Sequence, residues 1–451
     1  MEYFCSLLLL GINLYNYERR INKFAFFVIG LVLFCALLYF CYMKTHSFMG
    51  SCLSVMCHTW AISWMNVFGD SAGELQITWF YLVGVLILGY FIVNIKTLMK
   101  RSVSPLMFCM LGFVAILLFY PLFLSPSLTQ ALKEFIMIAY FFILLFIALF
   151  FPESLSKEAR EHVITAYIFS VSVACVVLIF QYLYYSVTGD TIFKYSVGNY
   201  FGRPMVTSKL LMEDTSSATI MLAVGVFYML ERINRNEKRL FYVFLIIITV
   251  IGLAFTTRRT SILSLAICLV LYALVRYKDI VKKIMMIGLI MGTVILMLSY
   301  LAFSRSIVSI SDLIDPNGRI ENYTRSIELF FRYPRGIGYD NEYLESFVEI
   351  MPHNTFLRWL NMCGIILAPA MLFILIYVIY IAWKKKHTDD FWVLACSLLA
   401  MNFIPDILNA RFFVIPCMLT LMSKSKYCYE SEKNKDKVDL ASDKVNRLRR
   451  G

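Results

Sequence analysis

Residues 315–364, DPNGRIENYTRSIELFFRYPRGIGYDNEYLESFVEIMPHNTFLRWLNMCG, form the longest polar stretch of a chain that is otherwise apolar. The stretch contains a Gly-Ile-Gly turn at 336–338 and the pair His353-Asn354 directly before an apolar run. It also holds five arginines: Arg319, Arg325, Arg332, Arg335 and Arg358. A polar, cationic segment of this length between apolar runs suggests chemistry at a membrane surface, with the rest of the chain as its scaffold.

An amphipathic helix is predicted at residues 319–333, after the turn at 315–318. At about 100° per residue, one arc of this helix is apolar and another is charged. The apolar arc consists of Ile320, Tyr323, Ile327, Phe330 and Phe331. The pairs Glu321/Arg325 and Glu328/Arg332 are spaced four residues apart, so a solvated helix face explains them as well as a binding role does.

The composition indicates a polytopic membrane protein. Of the 451 residues, 60% are hydrophobic and 16% charged, with a mean hydropathy of +0.71, whereas soluble domains have roughly 25% charged residues. Runs long enough to cross about 30 Å of hydrocarbon recur along the chain. We therefore predict an all-α protein with one integral membrane domain, residues 1–423, and about twelve transmembrane helices. They are 24–43, 77–95, 105–124, 132–151, 163–186, 215–230, 240–256, 260–275, 284–303, 358–383, 391–405 and 411–423.

Basic clusters predict the side of the membrane on which each loop lies. Five clusters fall at alternate crossings, and an excess of Lys and Arg is typical of cytoplasmic loops. They are Arg19/Arg20, Lys96/Lys100/Arg101, Arg232/Arg235/Lys238/Arg239, Arg276/Lys278/Lys282/Lys283 and Lys384/Lys385/Lys386. Both termini are then expected in the cytoplasm, where the charged tail 424–451 is predicted to be disordered.

The opposite, extracytoplasmic side is expected to receive four segments of the chain. They are 44–76, 187–214, 256–260 and the long loop 304–357 that carries the amphipathic helix. Residues 3–16 are apolar but short for a span, so we predict an interfacial helix or a half-span there.

The net charge of +12 fits this topology without a nucleic-acid partner. The sequence has no CxxC motif and no Cys/His spacing suited to zinc, so no metal or cofactor is expected. Cys52 and Cys57 share a predicted external segment and could form a disulfide, although two unpaired small apolar side chains fit better.

Three arginines outside the long loop also fall on the external side, where the charge bias disfavours them: Arg203, Arg258 and Arg259. The pair Arg258-Arg259 lies between two apolar runs whose other ends are held in the cytoplasm by basic loops. Charges so placed are costly and are kept for an anion or a buried partner. The alternatives are a functional anion site or a structural pair with Asp214, Asp340 or Asp406.

His353 and Asn354 lie at the external end of a span. Taken alone, Asn354 could cap the following helix and His353 could sit among lipid headgroups. Several guanidiniums on the same face suit a pyrophosphate, and an imidazole beside them suits a general base.

Two of these motifs resemble the O-antigen polymerase and ligase superfamily of bacterial envelope polysaccharide synthesis. HNTFLRWLNMCG is similar to the family's His-Asn-x-x-Leu with a Gly seven residues further on. The matching positions are His353, Asn354, Leu357 and Gly364. FTTRRTSIL looks like the family's Thr-x-Ser-Arg element, which gives Thr256 and Arg259, with Arg258 where Ser is usual.

Two further elements extend the resemblance to roughly residues 200–365. FGRPMVTSKLLMEDTSSAT is similar to the family's arginine-containing loop before a span and carries over Arg203. RSIELFFRYPRG has ten residues between Arg325 and Gly336, like the Arg-x10-Gly spacing of the polymerases, and Gly338 follows in its usual place.

The resemblance implies a metal-independent, inverting glycosyltransferase of the bacterial inner membrane. Its donor would be an undecaprenyl-pyrophosphate-linked oligosaccharide on the external face, with His353 as the catalytic base. The implied substrate-binding residues are Arg203, Arg258, Arg259, Arg325, Asn354, Gly336 and Gly338. A flippase and a chain-length regulator of the same pathway are the implied protein partners.

Three functions remain compatible with these motifs. The first is a polymerase of polysaccharide repeat units, which the Arg-x10-Gly spacing favours slightly. The second is a ligase that transfers the glycan to lipid A-core, because both enzymes need the same donor site. The third is a flippase or transporter of lipid-linked glycan, which the sequence disfavours because it shows no clear internal repeat and its informative charges gather at one face.

Overall fold

The computed structural model describes most of the membrane domain and confirms the all-α class. The described residues are 1–63, 65–68, 77–98, 104–151, 154–193, 196–200, 203–207, 215–256, 258–305, 319–349, 351–404, 406, 408 and 411–425. One pair of short antiparallel strands, β1 (Ser196–Tyr200) and β2 (Arg203–Thr207), is an addition that the sequence did not predict. The predicted turn at 315–318 and most of the charged tail lie outside the described residues.

The described residues form sixteen α-helices. The first eight are α1 (Glu2–Arg19), α2 (Lys23–Thr45), α3 (Phe48–Thr59), α4 (Trp79–Leu98), α5 (Pro105–Leu117), α6 (Leu128–Leu149), α7 (Lys157–Thr188) and α8 (Thr215–Asn234). The others are α9 (Arg239–Phe255), α10 (Arg259–Arg276), α11 (Ile280–Arg305), α12 (Arg319–Arg332), α13 (Asn341–Val348), α14 (Thr355–Lys384), α15 (Thr388–Ala400) and α16 (Val414–Met422).

Local sequence signals set several helix ends. The side chains of Asn22, Ser127 and Ser156 accept hydrogen bonds from backbone N–H groups in the first turns of α2, α6 and α7. Such caps satisfy donors that have no partner inside the helix. Helix α7 ends at Gly189, which adopts the left-handed conformation that glycine accepts without strain.

Each of the twelve predicted spans is occupied by a described helix. Nine helices are long and apolar enough to cross a membrane among the residues described: 23–45, 79–98, 105–123, 128–149, 157–188, 216–234, 259–276, 280–299 and 355–384. The other three predicted spans correspond to α9, α15 and α16, which have 17, 13 and 9 residues. Helix α8 is the most enclosed of the nine and packs against α7, α9, α10 and α15.

Contacts between residues that are far apart in the chain define the two ends of the helix bundle. At one, which we call the basic end, Arg232 pairs with Glu161 at 2.7 Å, and the backbone N–H of Leu155 bonds to the carbonyl of Met422 at 3.2 Å. At the other, the loop end, the hydroxyl of Tyr323 bonds to the carbonyl of His353 at 2.8 Å. The predicted cytoplasmic loop at 232–239 therefore lies at the basic end together with the end of α16, and the predicted external loop lies at the loop end.

The first 60 residues depart from the predicted topology. Helix α1 lies alongside α7, because Glu2 is 3.1 Å from His162 and the Glu18 carboxylate accepts a hydrogen bond from the backbone of Phe193. Instead of an interfacial helix or half-span, α1 thus runs from the basic end to the loop end. The predicted cytoplasmic cluster Arg19/Arg20 is accordingly found at the loop end, opposite the basic loops at 232–239 and 384–386.

Helix α3 was not predicted, and it changes the placement of residues 44–76. A Cβ on Gly50 would lie 3.4 Å from Ala159, so the start of α3 belongs to the basic end rather than the external side. The chain then returns to the other end at Phe68, whose ring lies 5.0 Å from that of Phe27 near the start of α2. Helices α1 and α3 add two passes to the predicted topology. Because the added number is even, the helices from α4 onward keep their predicted direction.

Cysteine labelling tests this revised topology. In a variant cleared of reactive native cysteines, we expect Arg20→Cys and Ser346→Cys to react with a membrane-impermeant thiol reagent in intact spheroplasts. We expect His46→Cys and Lys278→Cys to react only after lysis, because the structure places residue 46 at the basic end. Labelling of His46→Cys together with protection of Arg20→Cys would restore the topology predicted from the loops alone.

Cys52 and Cys57 both lie in α3 and are free and fully buried. This agrees with their interpretation as unpaired small apolar side chains. The Cys57 thiol donates to the carbonyl of Val163 at 3.7 Å, which fixes α3 against α7.

Candidate functional site

The loop end is built on α12, the predicted amphipathic helix. Its packed face carries Asn322, Ser326 and Leu329, which are buried, whereas Ile327 and Phe331 of the predicted apolar arc are exposed. The Asn322 amide donates to the carbonyl of Val348 at 3.0 Å. Helix α12 is therefore held on the bundle by polar contacts together with the buried Leu329, and part of its apolar arc points away from the protein.

Arg325 is held by two carboxylates. Its guanidinium pairs with Glu321 one turn earlier, at 2.8 Å, and with Glu349 after α13. These hydrogen bonds, first to Glu349 and then to Glu321, raise the pKa of Arg325 above its ordinary value. The predicted pair Glu321/Arg325 is thus present, and a phosphate could reach Arg325 only in competition with two acids.

The Gly336-Ile337-Gly338 segment fits into a break in α14. Gly364 interrupts this helix with φ 76° and ψ −177°, and the carbonyls of Asn361 and Met362 accept hydrogen bonds from Ile337 and Gly338 at 2.8 and 3.1 Å. These bonds satisfy backbone groups that the break would otherwise leave unpaired at membrane depth.

The glycines are required by the closeness of the two backbones. A Cβ on Gly336 would lie 2.5 Å from the carbonyl oxygen of Met362, and one on Gly364 would lie 2.5 Å from the backbone of Arg335. Both residues also have positive φ angles, which glycine adopts at no steric cost. The structure therefore gives these glycines a packing role, and their predicted role in substrate binding stays a prediction.

His353 and Asn354 lead into α14. The Asn354 side chain accepts a hydrogen bond from the backbone of Leu357 at 3.0 Å, so Asn354 is the N-cap of α14. Its amide also contacts Asn402, and the carbonyl of His353 receives the Tyr323 hydroxyl. The half-buried His353 is thereby fixed between α12 and the end of α15.

A buried ionic network lies one turn below Asn354. The guanidinium of Arg358 bonds to Glu134 at 2.7 Å, to Asn341 at 2.8 Å, and to Asp406. Burial raises the pKa of Asp406 above its ordinary value, although the guanidinium of Arg358 favours the ionised form. The network joins α6, α13, α14 and the segment after α15 directly beneath His353.

Arg258 and Arg259 lie at the turn between α9 and α10, as predicted. Arg258 precedes the first residue of α10, which is Arg259, and both are half-buried. Two residues into α10, the hydroxyl of Ser261 contacts that of Thr219 in α8. The start of α10 is therefore packed against the first turns of α8.

Arg203 is the first residue of β2, a strand that packs against α11. Its side chain lies outside what the structure describes. Near the end of α7, the ring of Tyr182 stacks on that of Phe255 at the end of α9, at 4.0 Å. Because the hairpin follows α7 and Arg259 follows α9, the hairpin and Arg259 share the loop end with His353. This placement agrees with a shared site, and a direct contact among these residues stays a prediction.

Two of the three acids predicted as possible partners of Arg258 and Arg259 have other contacts. Asp406 binds Arg358, and Asp340 caps α13 through the backbone of Tyr343 at 3.0 Å. Asp214 lies outside the described residues.

Among the described residues, two groups have ligand atoms close enough to hold a metal ion, Glu2/Cys41/His162 and His387/Asp389/Asp390. Both lie at the basic end, where Arg160 bonds to Asp389 and Asp390, each at 2.9 Å. They are therefore separate from the arginines and histidine of the loop end.

Sequence reasoning missed the network around Arg358. Glu134 and Asp406 are each buried and lie 224 and 48 positions from Arg358 in the chain. No local spacing links them. The one available signal was the presence of Glu134 inside a predicted apolar span, where an ionisable residue is rare and paired.

Residues 243–372 match the model of a family described as O-antigen ligase. This region contains Arg258, Arg259, Arg325, His353 and Gly364. The match confirms the resemblance to the O-antigen ligase and polymerase superfamily that these motifs indicated. No curated protein matches the chain.

Proposed function

We propose that the protein is a membrane glycosyltransferase that acts as a repeat-unit polymerase. It would transfer glycan from a polyprenyl pyrophosphate carrier at the extracytoplasmic face of the inner membrane. The observation that carries the proposal is the placement of His353 at the start of a broken membrane helix, fixed by Tyr323 of an arginine-bearing loop helix. Broken helices at membrane depth are typical of sites that line a cavity or bind a ligand.

In the proposed reaction, the acceptor hydroxyl attacks the anomeric carbon of the donor sugar. The bond from that carbon to the pyrophosphate oxygen breaks, and the electron pair leaves with the polyprenyl pyrophosphate. His353 takes the proton of the hydroxyl as general base. Attack from the side opposite the leaving group inverts the anomeric configuration.

The arginines would stabilise the leaving group. Pyrophosphate is already a good leaving group, and guanidiniums bind its oxygens in a bidentate manner. Arg203, Arg258 and Arg259 are proposed for this role, which would replace both a divalent metal and a general acid. Arg325 would join them only if the phosphate displaced Glu349 or Glu321.

The alternative is a ligase, and the match to the family described as O-antigen ligase does not distinguish it from a polymerase. It would use the same donor and the same base but a lipid A-core acceptor. The spacing between Arg325 and Gly336 favours the polymerase.

Reconstitution separates these functions. Purified protein in liposomes is given lipid-linked repeat units, either alone or together with lipid A-core. We expect a ladder of lipid-linked polymer with repeat units alone and without added divalent metal. Formation of lipid A-core conjugate only would favour the ligase. Carrier movement across the bilayer without any new glycosidic bond would contradict the proposal and indicate a transporter.

A further inference from the structure

An apolar groove opens on the outer surface of the bundle beside the break in α14. Its walls come from the end of α5 with the following turn, Leu117 and Tyr120, and from α14 immediately after the break, Ile365 and Ile366. The groove has a volume of about 340 Å³. Ile365 and Ile366 are 56% and 63% exposed, so the groove faces the surroundings of the protein rather than its core.

The third wall of the groove is the segment that fills the helix break. Pro334 and Arg335 line the groove, and the carbonyl of Pro334 accepts a hydrogen bond from Ile365 at 2.9 Å. Because Gly336 and Gly364 allow no Cβ at this crossing, the wall is fixed relative to α14. This wall of the groove is therefore held in place by backbone contacts.

Arg335 supplies a positive charge at the groove. It is exposed, and within the part of the chain that the structure describes it forms no ion pair. Three other arginines of the stretch 315–364 differ from Arg335. Arg325 binds two glutamates and Arg358 is enclosed by acids. Arg332 lies over the ring of Tyr333 and does not line the groove. An unpaired cation next to apolar surface suits an amphiphile with an anionic head.

We infer that this groove binds the lipid carrier, with part of the polyprenyl chain along Ile365 and Ile366 and a phosphate on Arg335. The inference deepens the proposed function and rests on it. The sequence suggested a phosphate contact for Arg325, and the inference assigns that contact to Arg335 instead. The three glycines then serve the carrier indirectly, by holding the groove wall in place.

Charge and shape favour this occupant over ordinary bilayer lipid. In a zwitterionic phospholipid, the ammonium group of the lipid competes with Arg335 for the phosphate of the lipid. A polyprenyl phosphate has no ammonium group. A single polyprenyl chain also fits a groove between two helices better than two acyl chains joined at a glycerol. Groove and cation together thus match a one-chain anionic lipid.

Photo-crosslinking in nanodiscs tests the inference. The full-length protein is exposed to a polyprenyl phosphate that carries a diazirine in its first isoprene units, and labelled peptides are identified by mass spectrometry. We expect labelling of residues 363–367 or 117–120 that unlabelled undecaprenyl phosphate competes away. Arg335→Gln should lower labelling about tenfold, as for the loss of one charge-assisted hydrogen bond, and Ile366→Trp should abolish it by filling the groove.

Matched controls are available in the same regions. Arg332→Gln removes an exposed arginine three residues away, which lies over the ring of Tyr333. Ile376→Trp adds the same bulk to an exposed position lower on α14. Both controls should label like the unmodified protein.

Two outcomes would overturn the inference. Equal labelling by a diazirine-bearing phosphatidylglycerol would show ordinary lipid contact, and labelling insensitive to Arg335→Gln and Ile366→Trp would place the carrier elsewhere. Because the probe carries no glycan, this readout is independent of transfer. Polymer formation without groove labelling would contradict carrier binding in the groove but would support the proposed function. Specific labelling without transfer would contradict the proposed function but would support a carrier-binding site.

Discussion

Replacing His353 by alanine is expected to lower glycan transfer by about two to four orders of magnitude, the range typical of a lost general base. The protein should still fold, because alanine retains the backbone carbonyl of His353, which accepts the hydrogen bond of Tyr323 and links this position to α12. It should also still bind lipid-linked donor, since the proposed phosphate ligands are arginines. Transfer is measured with lipid-linked repeat units, and binding is measured separately by crosslinking of the carrier.

Two matched variants complete this test. His46→Ala removes an exposed histidine at the basic end and should leave transfer unchanged. Asn354→Ala removes the N-cap of α14 and should cost about 0.5–2 kcal/mol of stability, which Asn354→Asp should largely restore. If His353→Ala instead abolished donor binding and reduced transfer only in proportion, His353 would be a phosphate ligand. The base would then have to be sought among the acids of the loop.

The predicted spans correspond to helices because run length against bilayer thickness is a strong constraint. The same rule missed α3, whose 12 residues include Ser51, Ser54 and His58. All of them are buried by neighbouring helices, so α3 needs neither the length nor the uniform apolarity of a lipid-facing span. Short buried helices of this kind carry no periodic signal that separates them from a loop.

The basic cluster at Arg19/Arg20 shows a second limit of sequence reasoning. Charge bias is a statistical preference, whereas the position of this cluster follows from the packing of α1 on α2 and its contacts with His162 and Phe193. The buried Asn13 and Asn16 on α1 made its apolar run look too short to cross the membrane. Both side chains are buried inside the bundle, where the Asn13 amide donates to the carbonyl of Leu9 at 2.6 Å, and the sequence alone does not show this burial.

Within the candidate site, the sequence located α12, the cap at Asn354 and the turn at Arg258-Arg259. Each of these depends on spacing within a few residues, which a sequence displays directly. The pairing of Arg325 with Glu349 and the insertion of Gly336–Gly338 into α14 depend on folding between segments. Glycine spacing alone could not distinguish a phosphate loop from a crossing of two backbones.

The Arg358 network is expected to dominate the stability of the loop end. Arg358→Met should lower the free energy of unfolding by about 3–5 kcal/mol, because it leaves Glu134 and Asp406 buried without their partner. The side chain of Arg358 is 2% exposed, and those of Glu134 and Asp406 are 9% and 1% exposed. Solvent can therefore do little to stabilise the orphaned acids.

The change in unfolding free energy is measured by titrating the protein in mixed micelles with a denaturing detergent and following tryptophan fluorescence, to which the buried Trp359 contributes. Arg332→Met serves as the control, since it removes an exposed arginine and should change stability by no more than about 0.5 kcal/mol. If Arg358→Met changed stability as little as the control does, the expected contribution of the network to stability would be contradicted.

A triple variant separates the loss of charge balance from the loss of packing. Combining Arg358→Met with Glu134→Gln and Asp406→Asn removes all three charges, and a neutral replacement of a buried ionic cluster is often tolerated. We expect it to recover most of the lost stability. Because the network lies one turn below the His353-Asn354 pair, transfer should recover less than stability does, since neutral side chains hold α6, α13 and α14 together less rigidly. Full recovery of both would show that the network only stabilises the fold and does not position His353.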